Sequence, residues 1–156
     1  MIQEFWNAFQ KDYGQSNLTY IEAFAFGSGG FMADRLLALV LQGKKTATCS
    51  SKAAWGNAPL PRPGDLSIVL DGRGQARCVI ETQSVHLIAF NEVKWELARL
   101  EGEDETLDSW RVKHRAYFQE EAAREGRAFQ EDMPLIFETF KTIYFKPEDK
   151  EFTNYK

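Results

Sequence analysis

The segment that is richest in chemically active side chains is 43–50, which reads GKKTATCS. It carries two ammonium groups, three hydroxyl groups and a thiol. Alternate residues of a regular strand face opposite sides, so Lys45 and Thr48 would meet only if the chain turns or bulges near Gly43. Two interpretations stay open: an exposed strand entry with solvated lysines, or a bend that brings an ammonium and a hydroxyl group together.

A second candidate is Glu81, which lies in the apolar run CVIET at 78–82. A carboxylate in such a run faces either solvent or a pocket. If it faced a pocket lined by Lys45, the two groups would shift each other's pKa. The spacing alone does not separate these alternatives.

A third group lies on a predicted helix, where Trp110, Arg111 and His114 stand at positions i, i+1 and i+4. Trp110 and His114 belong to the inner stripe of this helix, and Arg111 lies one step off it, near its edge. Trp110 is either a core residue or a platform for stacking a base. His114 is either a half-buried, hydrogen-bonded side chain or a general base.

The sequence predicts neither a metal site nor a cofactor. His86 and His114 are the two histidines, and they are not at metal-ligand spacing to each other or to a cysteine. The acidic run 101–105 is typical of a solvated turn. The glycine segment 26–30 reads FGSGG, which is not the pattern of a dinucleotide-binding loop.

The elements that must position these residues follow from periodicity and turn signals. Helical spacing predicts helices over 2–13, 32–42 and 107–125, and a shorter helix capped by Asn91 and ending near Gly102. Strands are predicted within 44–51, over 65–70 and 75–85, and over 133–145 as one long strand or two short ones. Residues 86–90 either continue the second of these strands or bend into another, 20–26 is a strand or an extended lead-in, and 52–64 is a loop. Hairpins join the strands, so the expected class is α+β, a small and mostly antiparallel barrel with helices packed outside. We expect one domain over 1–156, with a helical insertion at 91–126 and a loose tail at 147–156.

Composition bounds the function. The chain has 156 residues, is 44% hydrophobic and carries a net charge of −4. Apolar content at this level predicts one core and excludes general disorder, while the acidic balance argues against binding duplex DNA through its phosphates. The longest apolar run, 36–41, is too short for a membrane span, and no signal peptide is visible. With two cysteines and no disulfide pattern, the expected location is the cytoplasm.

Several segments together resemble the ASCH domain of the PUA-like superfamily, and two of them are similar to its longer bacterial branch. The resemblance extends from about Phe24 to Tyr144. The segments shared with the domain in general are GKKTAT at 43–48, PGD at 63–65 and VIE at 79–81. Those similar to the longer branch are LDSWRVKH at 107–114 and EDMP at 131–134.

The resemblance implies a small PUA-like β-barrel with a cleft that binds RNA or nucleosides. One bacterial branch of the family hydrolyses the acetyl amide of N4-acetylcytidine with a lysine, a threonine and a glutamate, which fall here on Lys45, Thr48 and Glu81. Thr48 would attack directly or position a water, Lys45 would act as the base, and Glu81 would orient Lys45 or handle the proton of the leaving group. Another member of the family is a ribonuclease.

The expected function is therefore hydrolysis of an N4-acylated cytidine, with two alternatives: cleavage of single-stranded RNA, or RNA binding without catalysis. A protein-interaction role for the acidic segment 91–126 is a further possibility. The expected partner is a nucleoside or short single-stranded RNA, without duplex DNA or a membrane, and the chain is expected to be a monomer or weak homodimer. The predicted substrate-binding residues are Lys44, Thr46, Ser50, Arg62, Trp110, Arg111 and His114.

Overall fold

The computed structural model describes residues 1–27 and 29–149. Its helices are α1 (Ile2–Tyr13), α2 (Gly30–Leu41), α3 (Lys52–Trp55), α4 (Trp95–Ala98) and α5 (Leu107–Arg124). Its strands are β1 (Glu22–Phe24), β2 (Ala47–Ser51), β3 (Leu66–Leu70), β4 (Ala76–Ala89) and β5 (Pro134–Phe145). Two 3-10 turns, Phe90–Glu92 and Arg99–Glu101, flank α4.

The five strands form one curled sheet in the order β1-β3-β4-β5-β2, a half-barrel whose two edges are β1 and β2. The β1–β3 pair is parallel, and the other three pairs are antiparallel. Register shifts at Val79/Ile80 and Thr82/Ser84 interrupt the long β4–β5 ladder, and bulges of this kind bend a sheet. The predicted α+β fold with a mostly antiparallel barrel-like sheet is confirmed.

Adjacent residues of a strand point to opposite faces of the sheet, and this sheet has buried apolar residues on both. Helices therefore cover both faces. On β4, Val79 belongs to the same core cluster as the aromatic stripe of α1, whereas Cys78 and Ile80 belong to that of the leucines and valine of α2. The third core cluster lies between α5 and the β2–β5 end, where Trp110 and Phe137 are fully buried. Buried apolar faces therefore hold both α2 and α5 close to the start of β2.

Four local predictions need correction or completion. The predicted loop 52–64 begins with α3, because the Ser51 hydroxyl caps it by accepting a hydrogen bond from the Ala54 N–H at 3.1 Å. Asn91 is not a helix cap but lies inside a 3-10 turn, and Lys94 precedes α4. Strand β4 runs on to Ala89, which settles the open alternative for 86–90 in favour of a continued strand, and 134–145 is one strand.

The first three residues of the predicted loose tail 147–156 have a defined conformation. Residues 147–149 form a 3-10 turn, and the buried carboxylate of Asp149 accepts a hydrogen bond from Arg77 Nη1 at 3.0 Å. The rest of that tail lies outside the described residues. No described helix combines the length and apolar character that crossing a bilayer would need.

Candidate functional site

Lys45 lies in the turn between α2 and β2, before the strand begins. The N–H groups of Lys44 and Lys45 both donate to the Leu39 carbonyl, at 2.9 and 3.1 Å, and Gly43 takes the left-handed conformation that allows this turn. The alternation of a regular strand therefore does not apply to Lys45. As a result, Lys45 and Thr48 line one cavity of about 450 Å³.

The Lys45 side chain is held by two carboxylates. It is 1% exposed, and its Nζ lies 3.2 Å from Glu101 Oε2 and 3.2 Å from Glu103 Oε2. Burial alone would lower the pKa of Lys45, but the two carboxylates outweigh burial and raise it. The cavity therefore contains a fixed ammonium ion rather than a free amine.

The other carboxylate oxygen of Glu101 contacts side chains from β2 and α5. Its Oε1 accepts hydrogen bonds from Trp110 Nε1 at 3.0 Å and from the Cys49 thiol at 3.2 Å, and it lies 3.1 Å from His114 Nε2. Burial would raise the pKa of Glu101, but Lys45 and then His114 hold it at about 2. Glu101 is therefore an ionised, fully partnered carboxylate.

Backbone contacts bring Glu101 to this place. The Thr46 N–H donates to the Leu100 carbonyl at 2.8 Å, which ties the turn Arg99–Glu101 to the start of β2. Gly102 follows in the left-handed conformation, and a Cβ atom there would lie 2.3 Å from the Lys44 carbonyl oxygen. A glycine is required for this close approach.

His114 and Cys49 complete the cluster. The His114 ring stacks on Trp110 with centroids 4.1 Å apart, and its Nδ1 lies 2.8 Å from the Trp110 carbonyl oxygen. Burial lowers the pKa of His114, but the Glu101 carboxylate outweighs burial and raises it. Burial and then Glu101 raise the pKa of the Cys49 thiol well above its usual range. Cys49 is therefore held as a thiol here.

A second cavity, of about 480 Å³, adjoins the first and shares Phe26, Gly27, Thr48, Cys49 and Tyr117 with it. It adds carboxylates from β1 and β5, Glu22 and Glu138, the second of which lies directly opposite Thr48 in the β2–β5 register. Burial raises the pKa of both carboxyl groups, although the hydrogen bond from Thr82 partly opposes this at Glu138. The two cavities together form a cleft beside the open seam between β1 and β2.

Glu81 lies apart from this cleft. Its carboxylate contacts Lys141 Nζ at 3.6 Å and accepts a hydrogen bond from Gln83 Nε2 at 3.0 Å. It is not among the described residues that line either cavity. Of the three predicted catalytic residues, the fold brings Lys45 and Thr48 together and leaves Glu81 elsewhere.

The predicted substrate-binding residues are spread over different places. His114 lines the first cavity and Ser50 the second, where the Ser50 hydroxyl accepts a hydrogen bond from Trp55 at 2.8 Å. Trp110 is fully buried, so a base cannot reach its ring in this structure. The remaining four line neither cavity: Lys44 and Arg62 are exposed, the Thr46 hydroxyl donates to the Leu100 carbonyl, and Arg111 Nη2 donates to the Val93 carbonyl.

Sequence comparison identifies the family. The sequence model described as the ASCH domain matches residues 22–144. The chain belongs to the ASCH-domain family. ASCH domains are broadly RNA-binding domains of the PUA-like type. A search of the curated proteins finds no match.

Two solved structures are similar over nearly the whole chain. One is a protein from Enterococcus faecalis V583 of the DUF984 family, with 32% identity, a TM-score of 0.87, and coverage of 99% of this chain and 94% of that one. The other is an ASCH domain from Lactobacillus crispatus JV V101, with 30% identity, a TM-score of 0.84, and coverage of 91% and 93%. The resemblance of the sequence motifs to the ASCH family is thus confirmed.

Four carboxylates of the cleft were not predicted as site residues: Glu101, Glu103, Glu22 and Glu138. The first two were hidden in an acidic run that is typical of a solvated turn. Glu138 could have been noticed, because it lies in the apolar run LIFETF at 135–140 as Glu81 lies in its own apolar run. The sequence pattern did not reveal which of these two carboxylates lies beside Thr48.

Proposed function

We propose that this ASCH-domain protein hydrolyses the acyl amide of an N4-acylated cytidine, as a nucleoside or at an accessible position of single-stranded RNA, in the cleft that contains Thr48. The observation that carries the proposal is the shared cavity of Lys45 and Thr48, which combines a fixed cation with a hydroxyl group. The cavity volume of about 450 Å³ is in the usual range for small-molecule sites.

The chemistry of the cavity walls supports a nucleobase as the bound group. Phe26 and Tyr117 line both cavities, and Tyr117, which is exposed, offers aromatic surface of the kind on which bases stack in many RNA-binding proteins. Met32 and Leu36 add apolar surface to the first cavity. A planar, uncharged heterocycle suits these walls.

The charges of the cleft favour a neutral substrate over a phosphodiester. Among the described residues, the carboxylates that line it are Glu22, Glu101, Glu103 and Glu138, and the lysines are Lys45 and Lys113. Both lysines are already ion-paired, Lys45 with Glu101 and Glu103, and Lys113 with Asp104 at 2.9 Å. Placing a phosphate in the cleft would add a further negative charge. An amide bears no charge, so it avoids this cost.

The reaction needs a polarised carbonyl, an activated water and a proton for the leaving nitrogen. Lys45 donates two of its three N–H groups to Glu101 and Glu103, and the third is assigned to the acyl oxygen of the substrate. Thr48 positions the water, whose oxygen bonds to the acyl carbon while its proton passes to Glu103. The bond from that carbon to N4 breaks, and Glu138, whose pKa is raised by burial, supplies the proton to N4.

The test is a hydrolysis assay on a panel of N4-acylated cytidines and unmodified single-stranded RNAs. We expect the wild-type protein to release free acid and cytidine, and Thr48→Val to lose at least about 100-fold in rate. Thr142→Val is the matched control, because Thr142 lies on β5 and lines neither cavity.

The same assay separates the two candidate carboxylates and the alternatives. Loss of rate in Glu138→Gln with little change in Glu81→Gln supports the assignment made from geometry, whereas the reverse favours the assignment made from the motif. Cleavage of unmodified RNA without amide hydrolysis would replace the proposal with a ribonuclease. Salt-sensitive RNA binding without any product would indicate a binding module.

A further inference from the structure

Three side chains from separate segments converge at one wall of the first cavity. One potential ligand atom of each of Cys49, Glu101 and His114 lies within 4.8 Å of those of the other two. A thiolate, a carboxylate and an imidazole are the three ligand types that zinc takes in proteins. We infer that Cys49, Glu101 and His114 form a zinc-binding site, which the spacing of the cysteines and histidines along the chain does not predict.

The distances suit a tetrahedral ion after small side-chain movements. Sγ and Nε2 lie 3.2 and 3.1 Å from Glu101 Oε1. Ligand atoms around a tetrahedral zinc stand roughly 3.3–3.7 Å apart, given the usual zinc–ligand bond lengths. An ion between the three atoms would therefore replace the contacts of Sγ and Nε2 with Glu101 Oε1, and each of these two distances would need to lengthen by only a few tenths of an ångström.

An independent observation is the second contact of His114. Its Nδ1 lies 2.8 Å from the Trp110 carbonyl oxygen, and its ring stacks on the Trp110 indole. Histidine ligands of metals almost always donate their other N–H to a carbonyl or carboxylate in this way, which turns the free ring nitrogen toward the ion. The Trp110 Nε1–H likewise fixes the Glu101 carboxylate.

The neighbouring Lys45 does not block the ion. Its ammonium contacts Oε2 of Glu101, whereas the ligand atoms meet at Oε1. Cysteine binds metals as the thiolate. The Cys49 thiolate and the carboxylates of Glu101 and Glu103 then balance a divalent cation and the Lys45 ammonium.

The fourth coordination position is open to the cavity, because all three ligands line it. Three protein ligands and one open position are typical of catalytic rather than structural zinc sites. A water bound there would lie in the same cavity as Thr48, and this last step alone rests on the proposed amide hydrolysis.

The test is a direct measurement of metal binding with no substrate present. The full chain is stripped with a chelator and titrated with Zn²⁺ against a chromophoric competitor, and then with Co²⁺ as a spectroscopic probe. We expect one Zn²⁺ per chain and, with Co²⁺, a thiolate-to-metal charge-transfer band. Cys49→Ser should abolish the band, and both Cys49→Ser and His114→Gln should weaken zinc binding by at least about 10-fold.

Matched controls are the chain's other cysteine and other histidine. Cys78→Ala and His86→Gln should bind zinc as the wild type does, and thermal melting of each metal-free variant checks that it is folded. Zinc binding that Cys49→Ser and His114→Gln leave unchanged, or no binding by the folded wild type, would overturn the inference. A chain that binds zinc at this site but hydrolyses no amide would leave the inference standing and refute the proposed function.

Discussion

Two ionic clusters of this protein differ in where the partners of their central carboxylates, Asp71 and Glu101, come from. The hairpin cluster consists of Asp71, Arg77 and Asp149, and the cavity cluster of Lys45, Cys49, Glu101, Glu103 and His114. Asp71 accepts hydrogen bonds from Arg73 N, Gln75 N and Arg77 Nε, all at 2.8–3.0 Å and all within six residues of it. The partners of Glu101 come from β2, from α5 and from the turn before β2.

The two carboxylates therefore have different roles: Asp71 stabilises a local turn, whereas Glu101 binds side chains from distant segments at a cavity. The hydrogen bonds of Asp71 close the β3–β4 turn and satisfy its backbone donors. Glu101 instead draws an ammonium, a thiol and an imidazole together at a cavity. A buried charge by itself marks neither role, but buried polar groups gathered from distant segments at a cavity favour a functional one.

The largest expected effect is on the cavity cluster. Lys45→Met leaves two carboxylates without their cation and should reduce the free energy of unfolding by about 3–5 kcal/mol. Adding Glu101→Gln removes one unpaired charge and should recover at least about 1 kcal/mol. Denaturant unfolding of both variants measures this. A loss below about 1 kcal/mol in Lys45→Met would mean that the cluster is hydrated rather than buried.

A smaller loss of stability, with no loss of activity, is expected when the hairpin cluster is changed. Asp71→Ala removes the acceptor of two backbone N–H groups and of Arg77, which should cost about 2–4 kcal/mol. The same denaturant series measures the cost, and the rate of amide hydrolysis by the folded fraction should match that of the wild type. If this variant lost activity as Thr48→Val does, the division between a structural and a functional cluster would fail.

Gly102 tests whether the backbone positions the cavity cluster. In Gly102→Ala the new Cβ would meet the Lys44 carbonyl oxygen in a left-handed backbone conformation, so we expect a loss of about 1–3 kcal/mol. Displacing the turn should also weaken zinc binding. Gly126→Ala is the control, since Gly126 is also left-handed but no atom of the described residues lies within 4 Å of an added Cβ. Equal losses of stability and equal zinc affinities in the two variants would show that strain, not contact, is what matters.

The sequence allowed most of the fold to be predicted, and less of the site. The α1 helix and the main strands follow from apolar periodicity, because each buries one face. The turn at Lys45 was predicted only conditionally, because Lys45 and Thr48 could meet only if the chain bent near Gly43. The burial of Glu101 was not predicted, because it depends on the contact of Gly102 with Lys44, which is far away in sequence.

Glu81 and Glu138 show the same limit. Both are single carboxylates in apolar strands, and local pattern treats them alike. Which of them faces Thr48 depends on the pairing of β2 with β5 and on the bulges in β4. Such long-range register is not encoded in the spacing of either strand.

The smallest expected effect concerns pH, where Asp71 of the hairpin cluster and Glu138 of the cleft should change the stability in opposite directions. The ordinary pKa of Asp71 is 3.8; despite burial, hydrogen bonds from Gln75, Arg77 and Arg73 lower it. Its contribution is therefore present at neutral pH and lost as the pH falls below 3.8. Burial raises the pKa of Glu138 from 4.5, and the neighbouring carboxylates of Glu22 and Asp65 add to this. The native state thus loses stability as the pH rises above 4.5 through the raised value.

Glu138→Gln should therefore be more stable than the wild type above the raised pKa, by about 0.5–1 kcal/mol, and equally stable below pH 4.5. The amide can still accept the Thr82 hydrogen bond but cannot ionise. Urea unfolding at several pH values measures the gap between the two proteins. The variant should also hydrolyse the amide more slowly, because it cannot supply a proton. A gap that does not widen with pH would mean that Glu138 is ionised without cost, and it could then not act as the proton donor.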